Sequence, residues 1–284
     1  MTRSILQLIT GAGLRRHGRH HRHVVTAETG LLTGPCCTRL CRAVLCHMFT
    51  SMSGFEVPPD NARVWRYMDL GRFLWLIHHR AVYFSRPSET LDPWEGVPPP
   101  SIARIHHPAN VEFSVGRTES LVFSCWHENP DESVAMWRLY TSGVEGVAIQ
   151  STVEKLKRWL MHIGLPVCSM AKVRYVDDSP DSEPPSGVLA NHIREFEFLL
   201  YKRRVYAHEQ ELRLMTFAPA GDAGLALPTK DLSLLMERIV VSPKYPTWAI
   251  SALQAIVGSA GLQIQIERSK CDLEPPSFCK GQTA

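Results

Sequence analysis

The chain has 284 residues, 44% hydrophobic and 21% charged, with a formal net charge of +3, the composition of a globular protein long enough to bury a large core. No apolar run approaches the ~18 residues that span a bilayer, so no membrane partner is expected. The charge is uneven: residues 1–52 hold seven Arg, no Lys and one acid, Glu28, a net of +6, leaving −3 for residues 53–284. That balance gives no indication of nucleic-acid binding by the globular part.

The tract HGRHHRH (17–23) and the cysteines Cys36, Cys37, Cys41 and Cys46 set the first 52 residues apart. Their spacing matches no paired zinc motif. The apolar stretch 4–10 is short and precedes most of the charge, unlike the core of a signal peptide. A disordered basic extension over 1–52 is expected, with Met48 or Met52 the more natural beginning, then a globular domain over 53–270 and a tail over 271–284. The remaining cysteines, Cys125, Cys168, Cys271 and Cys279, are scattered, which fits a reducing cytoplasm better than a disulfide scaffold.

Residues 62–67 read as a strand, Asp69 as the cap of a helix over 71–79, and 81–85 as a second strand. Residues 91–96 form a turn in which Asp92 and Glu95 flank Pro93-Trp94, and the prolines at 98–100 make the following stretch loop-like. Residues 121–124 are a buried strand, ended by turn residues 129–133, and His127 lies on a turn beside Glu128. In the next helix Ser133, Met136, Trp137 and Tyr140 recur at spacings of three and four and share one face. Gly143 ends it.

Residues 146–149 are a strand with Gln150-Ser151-Thr152 at its exit, 154–161 a helix and 171–176 an alternating strand. The acidic, proline-rich stretch 177–187 is a surface loop. A helical pattern over 188–205 puts Leu189, Ile193, Phe196 and Leu200 on one face and Lys202 outside it. A turn then leads into a strand up to Phe217, where period two aligns Glu209, Glu211 and Arg213 opposite Gln210, Leu212 and Leu214. Such a charged face is expected where it meets solvent, a partner or a ligand. The chain closes as a helix at 232–237, a strand at 239–241, a helix at 248–257 and a strand at 262–267, a β-α-β unit. Together these elements predict an α+β (mixed α/β) fold, a single domain with a mixed β-sheet and flanking helices.

The segments WRYMDLGRF, YFSRP, LDPWEG, CWHENPDESVAMWRLYTSGVEGVAI, YAHEQELRL and IVVSP, in that order, resemble the bacterial domain-of-unknown-function family twenty-nine seventy-one from about Trp65 to about Glu267. That resemblance implies no reaction, so function rests on the site.

A second resemblance concerns chemistry. Arg66 or Tyr67 on an early strand, Ser151-Thr152 at a strand exit and Glu209-Gln-Glu211 resemble the arginine, serine-threonine and glutamate-x-glutamate set of ADP-ribosyltransferases. Two departures stand out: Val153 replaces the second serine of the middle motif, and Arg63 and Arg72 compete with Arg66. The resemblance implies NAD as co-substrate and no metal. Glu211 would stabilise the cationic ribose, Glu209 would orient or deprotonate the acceptor, Ser151 would support Glu211, and Arg66 would hold a phosphate. Trp137 or Tyr140 would stack on the nicotinamide, beside Tyr67 and Thr152. A rival arrangement, Asp177, Asp178, Glu209 and Glu211 with Lys202, has the donor types of a metal-dependent nuclease. A third reading is a non-catalytic module binding a nucleotide or protein through its Trp/Tyr face. Against all three, the aromatics serve as ordinary core and the Glu209/Glu211/Arg213 row as an ion-pair ladder protecting a strand edge.

Overall fold

The structure, a computed structural model, describes residues 54–141, 144–165, 167–187, 196–219, 221 and 223–271. All of these fall in the compact unit Arg42–Ala284. The expected basic extension, Gly143, the first half of the expected 188–205 helix and nearly all of the expected tail lie outside them.

The strands are β1 (Arg63–Asp69), β2 (Ala81–Phe84), β3 (Leu121–Glu128), β4 (Gly146–Thr152), β5 (Cys168–Lys172), β6 (Arg174–Val176), β7 (Tyr201–Arg203), β8 (Glu211–Phe217), β9 (Leu225–Pro228), β10 (Arg238–Val241) and β11 (Ile266–Arg268). The α-helices are α1 (Leu70–His79), α2 (Pro100–Arg104), α3 (Pro108–Arg117), α4 (Val134–Tyr140), α5 (Val153–Ile163) and α6 (Thr247–Ser259). Seven strands form a mixed sheet in the order β11-β10-β4-β1-β3-β8-β5, in which only β10 and β11 run parallel. β2 and β9 form a separate antiparallel pair, and β6 and β7 a parallel one. This is the mixed sheet with flanking helices that the sequence predicts.

Local chemistry sets the helix boundaries. The Asp69 carboxylate accepts from Arg72 N at 2.7 Å and starts α1, and the Thr152 hydroxyl accepts from Lys155 N at 3.2 Å and starts α5. Gly164, at φ 65°, ends α5 in the left-handed conformation that glycine adopts without steric cost.

Period two along the strands decides what each face meets. Val64, Met68, Val147, Ile149, Leu212 and Leu214 point to one face, where they join the main core. The opposite face carries Trp65, Tyr67 and Ala148 under Met136 and Trp137 of α4, and Phe123 and Met215 under Phe196, Leu199 and Leu200. Between these two patches the opposite face is polar.

Several expectations are corrected. Residues 100–104 and 108–117 are helical, each opening on a proline at its first position, where the missing N–H costs no intrahelical bond. β3 runs on to Glu128, so His127 is a buried strand residue rather than part of a turn. Residues 197–200 form a 3-10 turn and 201–203 a strand, not a helix, because Phe198, Leu199, Leu200 and Tyr201 are all buried and leave no solvated face. The stretch 171–176 divides into β5 and β6 at Val173, and the last strand is confined to Ile266–Arg268.

Candidate active site

β8 begins at Glu211, and the chain reaches it through a 3-10 turn over Arg204–Glu209. Gln210 joins the two in the left-handed conformation, φ 42°. Glu209 is therefore a turn residue, not a strand neighbour of Glu211 as period two predicts. The kink nevertheless directs both carboxylates at one ammonium. Lys202 Nζ, from β7, lies 2.6 Å from Glu211 Oε1 and is also ion-paired with Glu209 Oε2.

Arg213, two residues along β8, donates from Nε to Glu211 Oε2 at 2.8 Å and from Nη2 to Glu211 Oε1 at 3.2 Å. The outer edge of the same guanidinium grips Glu95, with Nη2–Oε2 at 2.9 Å and Nη1 on Oε1. Glu95 and Asp92 thus do more than shape their turn, since Asp92 also accepts from Arg203 at 3.0 Å. The Tyr175 hydroxyl accepts from Glu211 N at 2.9 Å, and the Tyr140 hydroxyl donates to Glu209 Oε1 at 2.6 Å.

Burial makes these charges consequential, because Glu209 and Glu211 are only 5% and 4% exposed. Burial, together with the hydrogen bond to and charge of Glu211, pushes Glu209 up to about 7. Burial pushes Glu211 up as well, but Arg213 and Lys202 outweigh it and hold that carboxyl well below the usual range. Of two carboxylates sharing one ammonium, one stays ionised and the other accepts a proton near neutrality. Burial and the neighbouring Glu211 also keep the Cys125 thiol protonated. His127 Nδ1 donates to the Glu209 carbonyl at 2.7 Å, and burial holds the ring below its ordinary pKa, so it is neutral with its lone pair on Nε2.

The residues predicted as one site divide between the two sheet faces. Glu209, Glu211, Tyr140, Trp137 and Tyr67 gather on the polar face, where Tyr67 and Trp137 meet edge to ring at 5.0 Å. Arg66 and Ser151 alternate with Trp65, Tyr67 and Gln150 and lie on the core face, so they do not share a cleft with Glu211. There Arg66 Nη2 donates to Tyr83 O at 2.8 Å, and Ser151 is fully buried. Thr152 caps α5, and β1 and β3 separate its strand from β8. Asp177 and Asp178 stay exposed in their loop and do not join the glutamates. Among the described residues no three His, Cys, Asp or Glu side chains group as metal donors.

Glu95, Cys125, His127 and Tyr175 escape the sequence reading. A signal exists for two of them: continuing the β3 alternation through CWHE puts Cys125 and His127 on one face.

A groove of about 600 Å³ opens on the same face and is lined by Arg63, Trp65, Gln150, Arg238, Glu267 and Lys270 among others. Pairing registers link it to the carboxylates. Arg238 lies opposite Gln150, Gln150 opposite Trp65, Trp65 opposite His127, and His127 opposite Glu211, one lateral row across five strands.

Fold and site together define a mixed α/β protein with a buried, charge-balanced carboxylate pair beside an open polar groove. No family model matches the chain. No curated protein matches it either. Among solved structures it is similar to Thermus sp. 2.9 DarT in complex with NAD+ (10% identity, TM-score 0.36, covering 75% of this chain and 98% of that one). It is also similar to Thermus sp. 2.9 DarT in complex with ADP-ribosylated ssDNA (11% identity, TM-score 0.37, covering 76% and 98%). Likeness this slight carries no argument about this chain.

Proposed function

We propose that the chain is an ADP-ribosyltransferase-like enzyme that takes NAD as co-substrate and works through Glu211 and Glu209. The observation that supports this reading is the carboxylate pair itself: two buried acids share Lys202, one held ionised and the other poised near neutrality. Cleavage of an N-glycosidic bond develops positive charge on the ribose, which an ionised, preorganised carboxylate stabilises. Glu211 has that role. An acceptor must lose a proton as the new bond forms, and a carboxyl near pH 7 is matched to take it. Glu209 has that role.

Substrate approaches from the Tyr140 side, since that ring, 36% exposed, is the accessible member of the cluster. The groove supplies Arg63, Arg238 and Lys270 as cations for the diphosphate. Arg66 and Ser151 have no part in this reading, because they face the core.

The test is nicotinamide release and transfer of label from NAD by wild type, Glu211→Gln and Glu209→Gln. Glu211→Gln should lose both activities by at least ~10²-fold, whereas Glu209→Gln should lose transfer more than hydrolysis. Absence of NAD binding and turnover in the wild type overturns the reading and leaves the cluster as a structural ion network.

A further inference from the structure

Glu209 stands back from solvent, and both of its carboxylate oxygens are engaged. Oε2 is ion-paired with Lys202, and Oε1 accepts from the Tyr140 hydroxyl at 2.6 Å. The groups around it are enclosed as well. Glu211 and His127 are buried, and the Lys202 side chain is 9% exposed. Tyr140 is the exception, 36% exposed at the last position of α4. Trp137, nearly one turn earlier, is buried and anchors that end of the helix.

An acceptor arriving from solvent thus meets the phenol before the carboxylate. The phenol can serve it. A tyrosine hydroxyl has one proton to give and lone pairs with which to accept. Here the proton is committed to Glu209 Oε1, which leaves the lone pairs for a second donor.

Electrostatics fix how a proton would cross. Burial, with the charge of Glu209 and the hydrogen bond to it, holds the phenol well above its ordinary pKa. A free phenolate is therefore no resting point, and Tyr140 takes one proton only as it gives up another.

We infer that Tyr140 is a catalytic residue, the proton relay between the acceptor and Glu209. The inference rests on the NAD reading above. The bond from the ribose carbon to nicotinamide breaks, its electron pair leaves with nicotinamide, and the oxygen or nitrogen of the acceptor bonds to that carbon. The acceptor's proton passes to Tyr140 Oη while the phenol's own proton passes to Glu209 Oε1. Tyr140 ends as it began, and Glu209 holds the proton.

The experiment supplies NAD with two small acceptors, methanol, which must lose a proton, and azide, which has none to lose. Methyl and azido ADP-ribose are measured for wild type, Tyr140→Phe, Glu209→Gln and the double variant. Each single variant should lower the methanol-to-azide product ratio by at least ~10²-fold, and the double variant should lower it no further, because the two groups act as a unit. An unchanged ratio in Tyr140→Phe, whether both products persist or both fall, overturns the relay. So does a loss in the double variant that multiplies the two single losses. Should Tyr140→Phe fail to fold, 3-fluorotyrosine at position 140 keeps the hydroxyl and alters its acidity: a changed ratio supports the relay, and an unchanged one refutes it. A wild type that releases no nicotinamide overturns the NAD reading and the relay together, whereas release with an unchanged Tyr140→Phe ratio overturns the relay alone.

Discussion

The Tyr140 hydroxyl donates to Glu209 Oε1 across 2.6 Å, joining the end of α4 to the turn that precedes β8. The bond favours the ionised form of Glu209 and fixes a ring that is 36% exposed beside it. Tyr140→Phe should therefore raise the Glu209 pKa and cost about 1.5–3 kcal/mol, the range for a hydrogen bond to a charged group. Denaturant melts and a carboxyl NMR titration check both. A titration unchanged from wild type would show that the bond does not tune Glu209.

Glu209 also makes stability depend on pH. Its folded pKa, about 7, exceeds its usual value near 4.5, so the folded chain keeps a proton that the unfolded chain releases. The stabilisation is full below about pH 4.5 and is lost as pH rises through about 7. Glu211 has the opposite sign: its contribution is present above about pH 4.5 and is lost as pH falls through its depressed folded value. Melting temperatures from about pH 5 to about pH 8 should fall for wild type and flatten in Glu209→Gln. Parallel curves would assign the dependence to another group.

Arg213 holds two buried carboxylates at once. Arg213→Met keeps the volume but takes the guanidinium from Glu95 and leaves Glu211 with Lys202 alone, a change expected to cost about 3–5 kcal/mol near neutral pH. Without the guanidinium the Glu211 carboxyl moves up in pKa, so mild acid should restore part of the loss. Urea melts at pH 7 and pH 5 test this. A variant equally unstable at both values would point to lost packing against Phe123, whose ring centroid lies 4.6 Å from the guanidinium carbon.

Trp137 packs against Tyr67 and Met136 and is 4% exposed. Trp137→Ala should cost about 3–5 kcal/mol as a large-to-small core change. The loss should appear in the equilibrium free energy of unfolding from denaturant melts. A cost under about 1 kcal/mol would mean that α4 rests only loosely on the sheet.

Much of this architecture is legible in the sequence because period and capping are local. Asp69 announces its helix, and the β-α-β close is visible in 239–267. The 188–205 pattern misleads beyond Phe196, since a run such as FEFLLY reads as amphipathic helix until burial on every side makes a 3-10 turn and strand the better fit. At the site, Glu209 and Glu211 are conspicuous as a pair. What the spacing does not reveal is Gln210, whose left-handed backbone replaces strand alternation by a kink. Nor does it reveal the faces: Arg66 and Tyr67 are adjacent in sequence, and their side chains leave β1 in opposite directions. Glu95 and Lys202 reach the cluster through long-range packing that no local pattern encodes.

The strand order carries a consequence for how the chain is made. β1, β3 and β4, the centre of the large sheet, all come from residues 63–152, whereas β8, β10 and β11 arise after residue 210 and are added outside them. During synthesis from the N-terminus the three central strands emerge first, and the edge strand β5 emerges before its neighbour β8. Glu211 and Arg213 arrive on one of these late strands, while Glu95, Cys125 and His127 wait on segments made earlier. Until β8 is made, Glu95 lacks the Arg213 guanidinium and β3 lacks the strand that pairs along its length. One strand thus brings both the pairing of β3 and the Glu211 and Arg213 half of the charge cluster.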